Sequence, residues 1–193
     1  MEKKYALVKA AATLFAHQGF DGTTTFQIAK EAKVTEPLIY YHFKGKDELF
    51  THIFETTFDE YFSRLQSLET DTSTQLEKIE NLINLHLQIV DEMPAGIRLI
   101  VSTCPAKLKD PMNICMKNIE KQRNWHLSYL TRCIETGVKK GEFRKVPINE
   151  TVHLIMALLN GLIRQKAYQF EAVPEMKNIA LEFCRKSLIE NEH

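Results

Sequence analysis

Glycine and proline are scarce in this chain, with seven and six residues among 193. Few places therefore exist to break regular structure, and long elements with few turns are expected. Cysteine is also sparse. Cys104, Cys115, Cys133 and Cys184 form no Cys-x-x-Cys pair and no zinc-like spacing, so a disulfide framework or zinc site is not expected and the thiols read as reduced core residues. No run approaches the roughly 20 apolar residues that span a bilayer, and Met1–Lys9 has no apolar stretch after its basic residues, so a cytoplasmic protein without a membrane partner is expected. Neither sign of charge is in excess, with 25 Lys+Arg against 25 Asp+Glu. That balance hides an asymmetry: residues 51–103 carry three basic against nine acidic residues, and residues 104–193 fifteen against ten. A local basic footprint is therefore not excluded. At 44% hydrophobic and 26% charged, the chain has the composition of a folded globular protein.

What is present is helical periodicity, and no strand-like alternation persists. An all-α protein of about nine helices is expected. Leu7, Ala11, Leu14 and Phe15 share one face of a first helix, which Gly19 stops. Thr23 and Thr24 offer caps for a short second helix, and Thr35, with Pro37 in the first turn, opens a third. After Lys44-Gly45-Lys46 a long fourth helix is expected from Asp47 to about Leu68, with Phe50, Phe54, Phe58, Tyr61 and Phe62 along it. Thr74-x-x-Glu77 has capping-box form and opens a fifth helix towards Met93-Pro94. A short segment covers Ala95–Thr103, and a long helix runs from about Pro111 to Gly137. Asn149 is expected to cap the next helix, and Pro174 to start the last, which ends near Asn191.

Residues 23–46 carry the function. Two short helices joined by a tight turn at Lys33-Val34, with small Ala29 and Ala32 at their crossing, suit a helix-turn-helix, whose second helix enters the major groove. Thr35, Tyr40, Tyr41, His42 and Lys46 can donate to phosphates, while Leu38 or a ring edge can touch a thymine methyl. Tyr40-Tyr41-His42-Phe43 cannot all be core, because four successive helical residues face all round the axis.

At these residues the chain resembles the tetracycline-repressor family of bacterial regulators. The resemblance rests on Thr23-Thr24, Ile28-Ala29, Ala32, Val34-Thr35, Tyr40, His42-Phe43 and Lys46 through Leu49. It extends to Ala11-x-x-Leu14-Phe15-x-x-x-Gly19-Phe20 and to Gly137-x-x-x-Gly141-Glu142-Phe143-Arg144. It implies a DNA-binding domain over 1–46 and a helical ligand-binding and dimerisation domain over 47–193. It also implies that Thr25, Thr35, Tyr40, Tyr41, His42 and Lys46 hold phosphates or base edges, and that Glu36, Pro37 and Leu38 face bases. Two positions depart from the family pattern: Lys33 stands where Gly is common in the interhelical turn, and Pro37 replaces a common Gly and removes an amide. Glu36 also places a negative charge at the groove.

For the body the resemblance implies a pocket for a small effector and a homodimer built from the last two helices. Val152, Leu154, Ile155, Met156, Leu158, Leu159, Leu162 and Ile163 make the helix near 152–163 apolar around most of its circumference, which calls for two packing partners, core and neighbour, and the last helix adds Phe183. Val152, Ile155, Leu159, Leu162 and Phe183 are the expected dimer residues. The expected pocket residues are His86, Arg98, His126, Asn160 and Arg164, with Trp125 and Tyr129 as walls, for a hydrophobic or amphipathic effector. Two other functional classes compete with this reading. Glu150-x-x-His153 and Glu190-x-x-His193 have the spacing of di-iron bundles, but the two further bridging carboxylates are missing. A helical interaction module without DNA binding leaves Tyr40-Tyr41-His42 and Lys46 without a purpose. No nucleophile–base pair or phosphate-cradling loop occurs, so neither catalysis, metal nor cofactor is expected.

Overall fold

The computed structural model describes residues 2–70, 74–102, 105, 114–168 and 175–189. These contain nine α-helices and no strand: α1 Glu2–Gln18, α2 Thr25–Glu31, α3 Glu36–His42, α4 Lys46–Gln66, α5 Gln75–Glu92, α6 Pro94–Val101, α7 Ile114–Lys140, α8 Ile148–Ala167 and α9 Met176–Leu188. A single 3-10 turn, Ser67–Thr70, follows α4. The all-α expectation holds. Residues 111 and 174, expected helix starts, and the expected end at 191 lie outside the described residues.

Contacts gather the chain into two compact units, residues 1–61 with 93–119, and residues 62–92 with 120–193. In the first unit α1 packs on α2 and α6, and α2 on α3. Its centre is aromatic. The rings of Phe15, Phe20 and Phe50 meet pairwise at 5.3–5.7 Å, two of the three contacts being edge-on. Gly96 is required in α6, because a Cβ there would come within 2.5 Å of the Thr57 side chain on α4.

In the second unit α5 packs against α8 and α9. Ile79, Leu82, Ile83, Leu130, Ile134, Val152, Leu159 and Leu188 form its apolar centre. Arg185–Glu80 and Lys166–Asp91 ion pairs, at 2.7 and 2.8 Å, tie α9 and α8 to α5, with Glu80 and Lys166 half-buried. Asn149 is not the cap of α8. Pro147 occupies that position without a side-chain bond, and the Thr151 hydroxyl donates to the Pro147 carbonyl at 2.7 Å.

Candidate nucleic-acid interface and body site

The second helix of the head is fixed at both ends. Thr24 accepts from the Gln27 amide and the Gln27 side chain returns to the Thr24 amide, a complete capping box. After α2 the chain reverses at Lys33, whose φ is +54°. The interhelical turn thus demands the left-handed conformation, and Lys33 bears its cost in place of Gly, about 1–2 kcal/mol. Thr35 occupies the cap position of α3 but makes no side-chain cap bond, and Pro37 sits in the first turn.

Burial sorts the residues of α3 by face. Ile39 and Phe43 are buried, anchoring the helix from beneath. Tyr41 is 80% exposed and Tyr40 57% exposed. Thr35 and Pro37 are exposed, while Glu36, Leu38 and His42 are half-buried. The His42 ring lies edge-on to Tyr41 at 4.9 Å. Leaving two large aromatic side chains in water brings no folding stability, so this face is free for a partner. Phe26, 65% exposed in the first turn of α2, adds a third exposed ring that the sequence reading did not single out.

Three expected contact residues have partners within the protein. Thr25 Oγ1 donates to Glu36 Oε1 at 2.6 Å, linking the first turns of α2 and α3. Lys46 Nζ donates to the carbonyls of Phe20 and Thr23 at 2.7 and 2.8 Å and lies 4.3 Å from the centroid of the Phe20 ring. Lys46 therefore closes the α1–α2 turn against the start of α4.

In the second unit the structure brings together four of the seven expected pocket residues. His86 and His126 are buried, their Nε2 atoms 3.0 Å apart. His86 Nδ1 lies 2.7 Å from the Leu82 carbonyl, which places its proton on Nδ1 and leaves its Nε2 to accept from His126. Burial pushes His86 down to about 4. It pushes His126 down to about 3, with the charge of His86 as a second cause. Trp125 stacks on Tyr129 at 4.9 Å and meets Phe62 edge-on. Asn160 and Arg164 do not join this cluster. Both are exposed on α8, the Arg164 guanidinium lying 5.7 Å from the Tyr168 ring, because the inward stripe of α8 is filled by aliphatic residues. Arg98 lies on α6 of the other unit. Sequence reasoning did not single out Asn84, whose buried Oδ1 has no hydrogen-bond partner; it is one of several amides along α5, so its sequence context carries no signal that sets it apart.

The expected dimer residues also divide. Val152, Ile155, Leu159 and Leu162 are buried within the chain itself, and Leu162 also lines the groove between α8 and α9. Phe183 is 58% exposed, with Ile179 at 61% and Leu154 at 65%. An apolar groove runs between α8 and α9, lined by Ala157, Leu158, Gly161, Met176, Ile179 and Phe183 among others. No group of three metal-ligating side chains occurs among the described residues. No described helix is long and apolar enough to cross a membrane.

Comparison with known proteins bears on the same segment. The model of the bacterial regulatory proteins of the tetR family matches residues 7–53. A probable HTH-type transcriptional regulator of Bacillus subtilis, YttP, is 30% identical over 139 residues, 63% of this chain and 67% of its own. The solved ketosteroid transcriptional regulator KstR2 of Mycobacterium tuberculosis superposes with a TM-score of 0.79 at 17% identity, over 99% of this chain and 96% of that one. AibR, solved with isovaleryl coenzyme A and operator DNA, gives 0.72 at 15% identity over 94% and 96%.

Proposed function

The chain belongs to the tetR family of bacterial regulatory proteins, and we propose that this DNA-binding transcription regulator acts as a ligand-released repressor, a cytoplasmic homodimer on an inverted-repeat operator. The observation that carries the reading is the α3 face: Tyr40 and Tyr41 stand exposed on a short helix anchored by buried Ile39 and Phe43. Residues 1–46 are the DNA-binding domain in this reading and 47–193 the ligand-binding and dimerisation domain. Thr35, Pro37, Leu38, Tyr40, Tyr41 and His42 meet the DNA, the ring hydroxyls on phosphates and Leu38 on a thymine methyl.

The second copy covers the exposed α8–α9 groove, with Ile179 and Phe183 as its apolar centre. An isologous contact of this kind relates the two heads by a two-fold axis, which a palindromic operator mirrors. The effector is a small hydrophobic or amphipathic molecule held near His86, Trp125, His126 and Tyr129. AibR's coenzyme A thioester makes acyl-CoA esters the first compounds to test. No residue set for catalysis is assigned, in keeping with relatives that are regulators.

The test is selection of bound fragments from the source genome, followed by compound screening for release. Enrichment of inverted repeats, half-sites about one helical turn or more apart, is the expected result. Effector and DNA must then weaken one another by equal factors, a coupling of about 1–3 kcal/mol. Binding to DNA without any sequence enrichment refutes the operator reading.

A further inference from the structure

From the Thr25–Glu36 hydrogen bond we infer that Glu36 reads a cytosine in each operator half-site, its carboxylate accepting from the N4 amino group. The inference rests on the DNA-binding reading above and adds the base that this side chain selects.

The bond decides the role of both residues. Thr25 has one hydroxyl proton, and at 2.6 Å that proton belongs to Glu36 Oε1. Thr25 is therefore no phosphate donor while the bond stands; it is a positioning residue that fixes the carboxylate. Glu36 forms no ion pair and accepts no second hydrogen bond among the described residues. Its other oxygen is thus open, on the same short helix that presents Tyr40 and Tyr41. A carboxylate only accepts, and phosphate oxygens repel it. In the major groove the donors are the amino groups of cytosine and adenine. Adenine places the N7 acceptor beside its amino group, facing the carboxylate with a second lone pair. Cytosine has a C–H at that place. The match is a C·G pair, read by one oxygen while Thr25 holds the other.

The experiment is binding-site selection from a randomised DNA library with the full-length protein, comparing wild type, Glu36→Gln and Thr25→Val. Glutamine keeps an acceptor for Thr25 and adds a donor, so it suits the N6/N7 edge of adenine. Wild type is expected to fix C at one position per half-site. Glu36→Gln moves that position to A by a factor on the order of tenfold, with the other positions unchanged. Thr25→Val keeps C but weakens its preference at the same position. If Glu36→Gln selects the same base as wild type everywhere, Glu36 merely joins two helices and the inference is overturned while the DNA reading stands. A wild-type protein that enriches no sequence overturns both.

Discussion

His86 and His126 share one buried place with fewer protons than hydrogen-bond sites. The Leu82 and Gln122 carbonyls each face one of the rings, and the rings face one another. Two neutral imidazoles supply two N–H groups for these three contacts. A third proton would complete the set, but burial holds both rings neutral, at about 4 and about 3. Their folded pKa values lie below the unfolded value of about 6.5, so the unfolded chain binds more protons in that window. Stability is therefore whole above pH 6.5 and is lost as pH falls towards 4, by up to about 1.4 kcal/mol per unit for each ring. Urea unfolding at pH 7 and pH 5 should register about 2 kcal/mol of loss per histidine, and His126→Gln should remove one share. Equal stability at both pH values would mean the rings open to water. Lys46 poses a second residue-scale test. Its ammonium holds two carbonyls, so Lys46→Met should destabilise the protein by about 1–2 kcal/mol and leave the salt slope of DNA binding unchanged. A slope reduced by about one with stability intact would return Lys46 to a phosphate.

Among the elements, the turn between α7 and α8 explains a motif that the sequence displayed without its reason. Gly137 lies under Phe143, whose ring would sit 2.2 Å from an added Cβ. Gly141 has φ +73°. Glu142 accepts from the amides of Gln75 and Leu76 at 3.0 and 2.7 Å, capping α5 from 66 and 67 residues away in sequence. Glu142→Ala should cost about 1–2 kcal/mol in thermal unfolding, whereas Glu142→Gln should recover part of it. An unaffected melting temperature would show that water replaces the cap. The head was legible because its signals are local: the capping box at Thr24–Gln27, the stop at Gly19 and the forced turn at Lys33 each lie within a few residues of what they determine. Partners distant in sequence were not legible. Nothing near Lys46 announces the carbonyls of Phe20 and Thr23, and nothing near Glu142 announces α5. The apolar circumference of α8 tells that two partners are needed but not which side chain meets which: Val152 and Leu159 are buried within the chain, whereas Leu154 is exposed.

At the scale of the whole molecule, the division of α8 and α9 into a buried and an exposed apolar set makes the proposed dimer testable separately from the fold. Phe183→Glu places a charge in the open groove and should yield a soluble monomer by sedimentation, with its helix content kept. Leu159→Glu buries that charge inside one chain and should give unfolded or insoluble protein. A Phe183→Glu protein that stays dimeric at low concentration would move the interface elsewhere. One contact of the second unit has a further consequence, in the order of opening. The Arg144 amide donates to the Leu188 carbonyl at 2.8 Å and its Nε to the Ser187 carbonyl at 2.9 Å, which pins the end of α9 to the chain just before α8. Releasing the end of α9 exposes the Arg144 amide together with the α8–α9 packing. In deuterated water that one amide, isolated in a turn, should keep pace with the amides of α9 rather than with those of its immediate neighbours.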